Sequence, residues 1–163
     1  MNSETLINEL IELTQKNRSD VQSFKNLTDN QLNLKYNSES WSILECIEHL
    51  NRYGNFYIPE ISKRLKHSTF KASPAFKPGF LGNYFAKSML PKEKLNKMKT
   101  FKSMNTNNSS LDRQVLDTFI KQQESLVELL KDAKNTDLTK VKTAISISKL
   151  IKLRLGDTFR IVI

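Results

Sequence analysis

A single cysteine excludes an internal disulfide, so nothing in the chain asks for an oxidising compartment, and a cytoplasmic location is expected. No apolar run reaches membrane-spanning length, and a soluble protein without a membrane partner is expected. The opening Met1-Asn-Ser-Glu-Thr-Leu-Ile-Asn-Glu-Leu10 lacks the basic and apolar regions of a signal peptide. Glycine and proline are scarce, four of each in 163 residues, which disfavours a turn-rich sheet protein. Histidine is scarcer still, with only His49 and His67. Any chemistry that needs an imidazole must therefore pass through one of two positions. No Gly-rich phosphate loop, nucleophile elbow or carboxylate pair of recognisable spacing appears.

What is present is three-four periodicity, and it is clearest after Ser40. Ser42 and Glu45 have the Ser-x-x-Glu spacing of a capping box, in which hydroxyl and carboxylate each satisfy a free backbone N–H at a helix start. Trp41 precedes the cap and is placed to staple against Cys46. Ile43, Ile47, Leu50, Tyr57, Ile61 and Leu65 then mark one stripe of a helix running from Ile43 to about Lys66. At 100° per residue, His49 projects beside Cys46, Tyr53 and Phe56, a second apolar set that widens the buried face.

The remaining pattern predicts an all-α chain of one domain, residues 1–163, long enough to bury a core without covalent help. Leu6, Leu10, Leu13, Val21 and Phe24 mark a first helix from about Glu4 to Lys25, and Thr28 and Gln31 form a second, weaker capping box in the connection. A crossover spans about residues 67–108, with short helices expected near Leu81–Met89 and Lys92–Lys99. Ser110 is read as the cap of a third helix, with Asp112 in its first turn and a buried seam of Val115, Phe119, Leu126 and Leu130. Gln122 interrupts that seam, so its amide either faces a polar pocket near His49 or bonds backbone or water. Ile145 to Ile151 is read as the approach to a fourth helix beginning near Leu153. Four helices with one long crossover make a four-helix bundle whose second and third helices run parallel, in up-down-down-up order.

Charge is unevenly placed. Residues 63–102 hold eleven Lys or Arg and one acid, Glu93, whereas the rest of the chain is nearly neutral. Phe70, Phe76, Phe80, Tyr84, Phe85 and Phe101 interleave with these bases, a mixture that suits a polyanion. The favoured expectation is that the aromatics fold inward and the lysines stay solvated, so no nucleic-acid partner is expected.

The Trp-Ser start and the Glu-His-Leu-Asn-Arg-Tyr run at Glu48 to Tyr53 resemble the DinB-like family of small helical bundles described as metal-dependent enzymes. Phe76 to Phe85, Phe119 to Glu124 and Leu153 to Asp157 resemble that family's interhelix segment, third helix and start of the fourth. The resemblance implies a divalent metal, zinc or nickel, that activates a low-molecular-weight thiol or water for transfer, isomerisation or hydrolysis of a small-molecule substrate. It assigns His49 as a metal ligand. Family members add a His-x-x-x-His pair from the fourth helix, and this sequence has none. The expectation is that the fourth helix is truncated at Ile163, with Leu155, Phe159, Val162 and Ile163 as its apolar set, and that the natural chain continues through such a pair. The alternative is a non-catalytic homodimer that buries the groove and uses its basic crossover against an acidic partner or nucleic acid.

Other ligands for His49 are few. His67 lies eighteen residues on, roughly 27 Å along the helix at 1.5 Å per residue, too far to share an ion. Cys46 and Glu45 stand one turn before His49 and could reach a common metal, but Cys46 is read as packing and Glu45 as the cap partner. The candidate pocket is therefore Cys46, Tyr53, Phe56 and Gln122 around His49.

Overall fold

The computed structural model describes residues 1–90 and 99–163. Among the described residues the chain forms α1 (Ser3–Phe24), α2 (Asp29–Asn33), α3 (Ile43–Lys66), α4 (Phe80–Met89), a 3-10 turn (Lys102–Met104), α5 (Gln114–Ala133), strands β1 (Lys142–Ile145) and β2 (Ser148–Arg154), and α6 (Leu155–Val162). The fold is mostly helical with one small sheet, which corrects the all-α expectation. The helix expected over Lys92–Lys99 falls almost wholly outside the described residues.

α3 forms where the sequence places it. Ser42 accepts the Glu45 N–H at 3.2 Å, and the Glu45 carboxylate accepts the Ser42 N–H at 2.8 Å. Thr28 and Gln31 close a second capping box at α2. The third long helix starts later than expected. Asp112 accepts the Gln114 N–H at 2.8 Å, and Arg113, rather than Ser110, stands at the cap position. The Arg113 guanidinium reaches Asp29 at 2.5 Å and the carbonyls of Lys25 and Leu27, which ties this helix start to the α1–α2 connection.

Two apolar clusters fix how the long helices run. Val21 from the end of α1 meets Leu44 and Ile47 from the start of α3 and Val115, Leu116 and Phe119 from the start of α5. At the other end, Leu6, Ile7 and Leu10 of α1 meet Tyr57 and Ile61 of α3, Leu129 and Leu130 of α5, and Leu155 and Phe159 of α6. α3 and α5 therefore run parallel, with α1 opposed to both, and α5 packs against each of the other two. The inner face of α3 differs from the expected stripe. Leu44 and Asn51 take inward places, while Leu50 is 47% exposed and Cys46 is exposed. Asn51 is admitted because its amide donates to the Val115 carbonyl at 2.9 Å.

The main departure follows α5. Ile145 to Ile151 does not approach a helix but turns between two antiparallel strands, paired Lys142 with Arg154 and Thr143 with Leu153, with an irregular register after Ala144. The physical signal lies in Val141-Lys-Thr-Ala-Ile-Ser-Ile-Ser148, whose β-branched residues recur in steps of two. α3 completes the hairpin: Glu60 accepts the Ala144 N–H at 2.8 Å and the Tyr57 hydroxyl accepts that of Ser146 at 3.3 Å. α6 then begins at Leu155. Its Gly156 has Phe76 against it so closely that a Cβ would lie 2.6 Å from the ring.

The expected inward fold of the crossover aromatics holds for Phe76, which is fully buried, and in part for Phe85, which is half-buried. Phe70, Phe80, Tyr84 and Phe101 are exposed. The reason is visible at α4, whose inward residues Gly82 and Ala86 are small. Asp157 of α6 sits so near Gly82 that a Cβ there would come within 2.5 Å of it, while Phe80 and Tyr84 lie on the opposite, outer side.

Replacing Ser42 by Ala removes one half of the α3 cap and is expected to cost about 1 kcal/mol, measured as a shift in urea midpoint at constant slope. No shift would contradict the role of the cap. For Glu45, burial alone would raise the carboxyl pKa, but the N–H groups of Ser42 and Asn108 and the ammonium of Lys35 outweigh it and hold it below its ordinary 4.5. The folded state thus binds this proton less readily than the unfolded chain. The stabilisation is present above about pH 4.5 and is lost as pH falls through the lower folded value. Glu45→Gln keeps an acceptor for the cap but not the charge. It should be less stable than the native chain at pH 7 and close the gap below pH 4.5; thermal midpoints that stay parallel would contradict this.

Candidate functional site

His49 sits on α3 where the 102–108 segment crosses it, and three groups define its ring. Nδ1 lies 2.7 Å from the Met104 carbonyl oxygen. The Trp41 ring is tilted against one side with centroids 4.8 Å apart, and Tyr53 approaches edge-on at 5.0 Å. Because a carbonyl oxygen only accepts, Nδ1 carries the proton in this bond. In the neutral ring Nε2 then bears the lone pair, fixed in direction by the two aromatic neighbours.

The segment that supplies Met104 is held by side chains from the first turns of α3. Arg52 donates to the carbonyls of Ser103 at 3.2 Å and Asn105 at 2.9 Å. The Thr106 hydroxyl donates to the Glu45 carbonyl at 2.7 Å, and the Asn108 N–H to the Glu45 carboxylate at 2.5 Å. Lys35 reaches Glu45 at 2.9 Å and Asn107 at 2.8 Å. A peptide carbonyl recruited from fifty-five positions away has no local signature, so sequence reasoning missed Met104 and Arg52. Trp41 was legible, and its ring lies against His49.

The expected pocket residues separate. Tyr53 adjoins His49 and stacks loosely on Tyr57, with centroids 6.4 Å apart, and its hydroxyl pKa is pushed up by burial and by Tyr57. Phe56 lies a turn further on, edge-on to Tyr57 at 5.0 Å, and packs with the core. Cys46 shares the His49 side of α3 but is exposed rather than packed. Partial desolvation and the neighbouring Glu45 push its thiol pKa up. Gln122 is elsewhere. Its amide donates to the Asn51 carbonyl at 3.1 Å and to Asn55 at 2.9 Å, closing over Gly54 in a shallow cleft between α3 and α5. Asn51 and Asn55 lie more than 100° round the helix from His49, so this amide does not join its pocket. His67 ends α3, exposed, with Nδ1 2.8 Å from the Lys63 carbonyl.

A catalytic zinc site takes three protein ligands. Among the described residues no group of three or more His, Cys, Asp or Glu is placed to hold a metal ion. Glu45 is already committed to Ser42, Lys35 and Asn108, and His49 supplies one nitrogen, so the donors described here do not make up the set an active-site metal requires. What the arrangement offers is a single oriented imidazole acceptor beside an indole and a phenol. No described helix is long and apolar enough to cross a membrane.

No curated protein and no solved structure matches this chain. The family is nevertheless shown, because residues 13–163, from the middle of α1 through the His49 region to the end of α6, match the DinB superfamily. The chain belongs to the DinB superfamily.

Proposed function

We propose that this DinB-superfamily chain binds a small molecule at His49 and uses Nε2 as its proton acceptor. The observation that carries the reading is the Nδ1 contact to Met104, which leaves Nε2 as the acceptor. A low-molecular-weight thiol suits such a group. Its S–H bond breaks, the proton passes to Nε2, the electron pair stays on sulfur, and the imidazolium keeps its Nδ1–H on the Met104 carbonyl. Trp41 and Tyr53 would flank the bound molecule and limit water near the nitrogen. A zinc or nickel ion belongs to the family expectation but enters none of these steps. The order of α1, α3, α5 and α6 supports reading the chain as a four-helix bundle, with the hairpin between the third and the last of these helices.

Phe70 and Phe101, exposed on the crossover outside α4, favour a second reading, a non-catalytic dimeric helical module. The two are separated by NMR titration of the His49 ring with cysteine, and separately with zinc and nickel. The first reading expects Nε2 to shift on addition of thiol, Nδ1 to stay protonated, and both responses to vanish in His49→Ala. Thiol binding that survives His49→Ala would overturn it, as would a tight stoichiometric zinc site independent of His49. A silent His49 in a chain that sediments as a dimer would favour the module.

A further inference from the structure

Exposed apolar side chains and bases recur on α4 and on β2, two elements that pack against each other. Phe80, Tyr84 and Lys87 recur at i, i+4 and i+7 and share one side of α4, opposite Gly82 and Ala86. Phe80 is 94% exposed and Tyr84 64%. On β2, Leu153 points inward and is buried, whereas Leu150 is 93% exposed, and Ile151 and Lys152 are exposed beside it. Arg154, at the end of β2, donates to the carbonyls of Lys77 at 2.5 Å and Pro78 at 3.3 Å, just before the residue that opens α4. Acids are absent from the sequence of both regions: none occurs in residues 61–92 or in 138–156, which contain seven and five Lys or Arg.

We propose that this side of the molecule docks on an anionic phospholipid bilayer, with Phe80 and Leu150 entering the boundary between headgroups and acyl chains while Lys87 and Lys152 stay at the phosphates. Three observations select this occupant. Side chains more than nine-tenths exposed stand on projections, which suit a fluid bilayer better than a partner with a preformed recess. Leu150 and Ile151 have no planar face to stack on a base, so half of the apolar set gains nothing from nucleic acid. A second copy would bring the same lysines against these, and like charges repel. Peripheral docking needs no spanning run, so the lack of one, from which no membrane partner was expected, does not bear on it.

The test is flotation of the whole chain with phosphatidylcholine vesicles, with and without about 30% phosphatidylserine. Binding is expected only to the anionic vesicles and is expected to weaken as salt rises. Exchanging both tips, Phe80→Ser with Leu150→Ser, should lower the vesicle partition about tenfold or more. Because both side chains are exposed, the helical circular dichroism should be unchanged. Lys87→Glu with Lys152→Glu should also reduce binding. The proposal is overturned if the native chain does not bind anionic vesicles at low salt, or if the tip variant binds as well as the native chain. It is equally overturned if the tips instead govern binding to single-stranded DNA or polyglutamate, or if they hold together a dimer seen by sedimentation equilibrium.

Discussion

The buried carboxylate of Glu45 holds three parts of the chain at one point. It accepts the Ser42 N–H that opens α3, the Lys35 ammonium from the α2–α3 connection and the Asn108 N–H from the end of the crossover. Lys35 is itself only one-fifth exposed, so both charges are largely out of water, where removing one partner leaves the other uncompensated. Helix start, connection and crossover end are therefore fixed together. The rotation of α3 follows, and with it the direction in which His49 points.

The His49 environment is secondary to that anchor. Met104 reaches Nδ1 because Thr106 and Asn108 bring the crossover down onto the first turns of α3, and Arg52 holds the two carbonyls on either side of Met104. Cys46 and Glu45 do not complete a metal centre with His49: among the described residues no three such donors are grouped, and the Glu45 carboxylate already accepts from Ser42, Lys35 and Asn108.

Local chemistry was legible in the sequence, whereas choices made by tertiary packing were not. The α3 bounds and both capping boxes depend on contacts three residues apart, and they appear where Ser42, Glu45, Thr28 and Gln31 place them. Leu50 and Asn51 exchange roles because α5 offers Asn51 a backbone carbonyl, a partner sixty-four positions away. The hairpin had a local signal in alternating β-branched residues, but a short apolar run before a helical pattern reads equally well as a helix lead-in. For the candidate site, His49, its neighbour Tyr53 and the adjacent Trp41 were readable from spacing. The placement of Gln122 and the recruitment of Met104 were not, since both depend on which helix packs against which.

The bond between His49 and Met104 ties a proton to a stretch of backbone. With the 3-10 turn seated, the ring has one permitted tautomer and presents Nε2 as a lone pair. Lift that turn and Nδ1 loses its carbonyl, so the proton is free to occupy either nitrogen and some molecules present Nε2–H instead. The ring would then offer a donor where it had offered an acceptor, with every side chain still in place. Seating of the 3-10 turn thus sets the hydrogen-bonding polarity of Nε2 through a contact made at the other nitrogen.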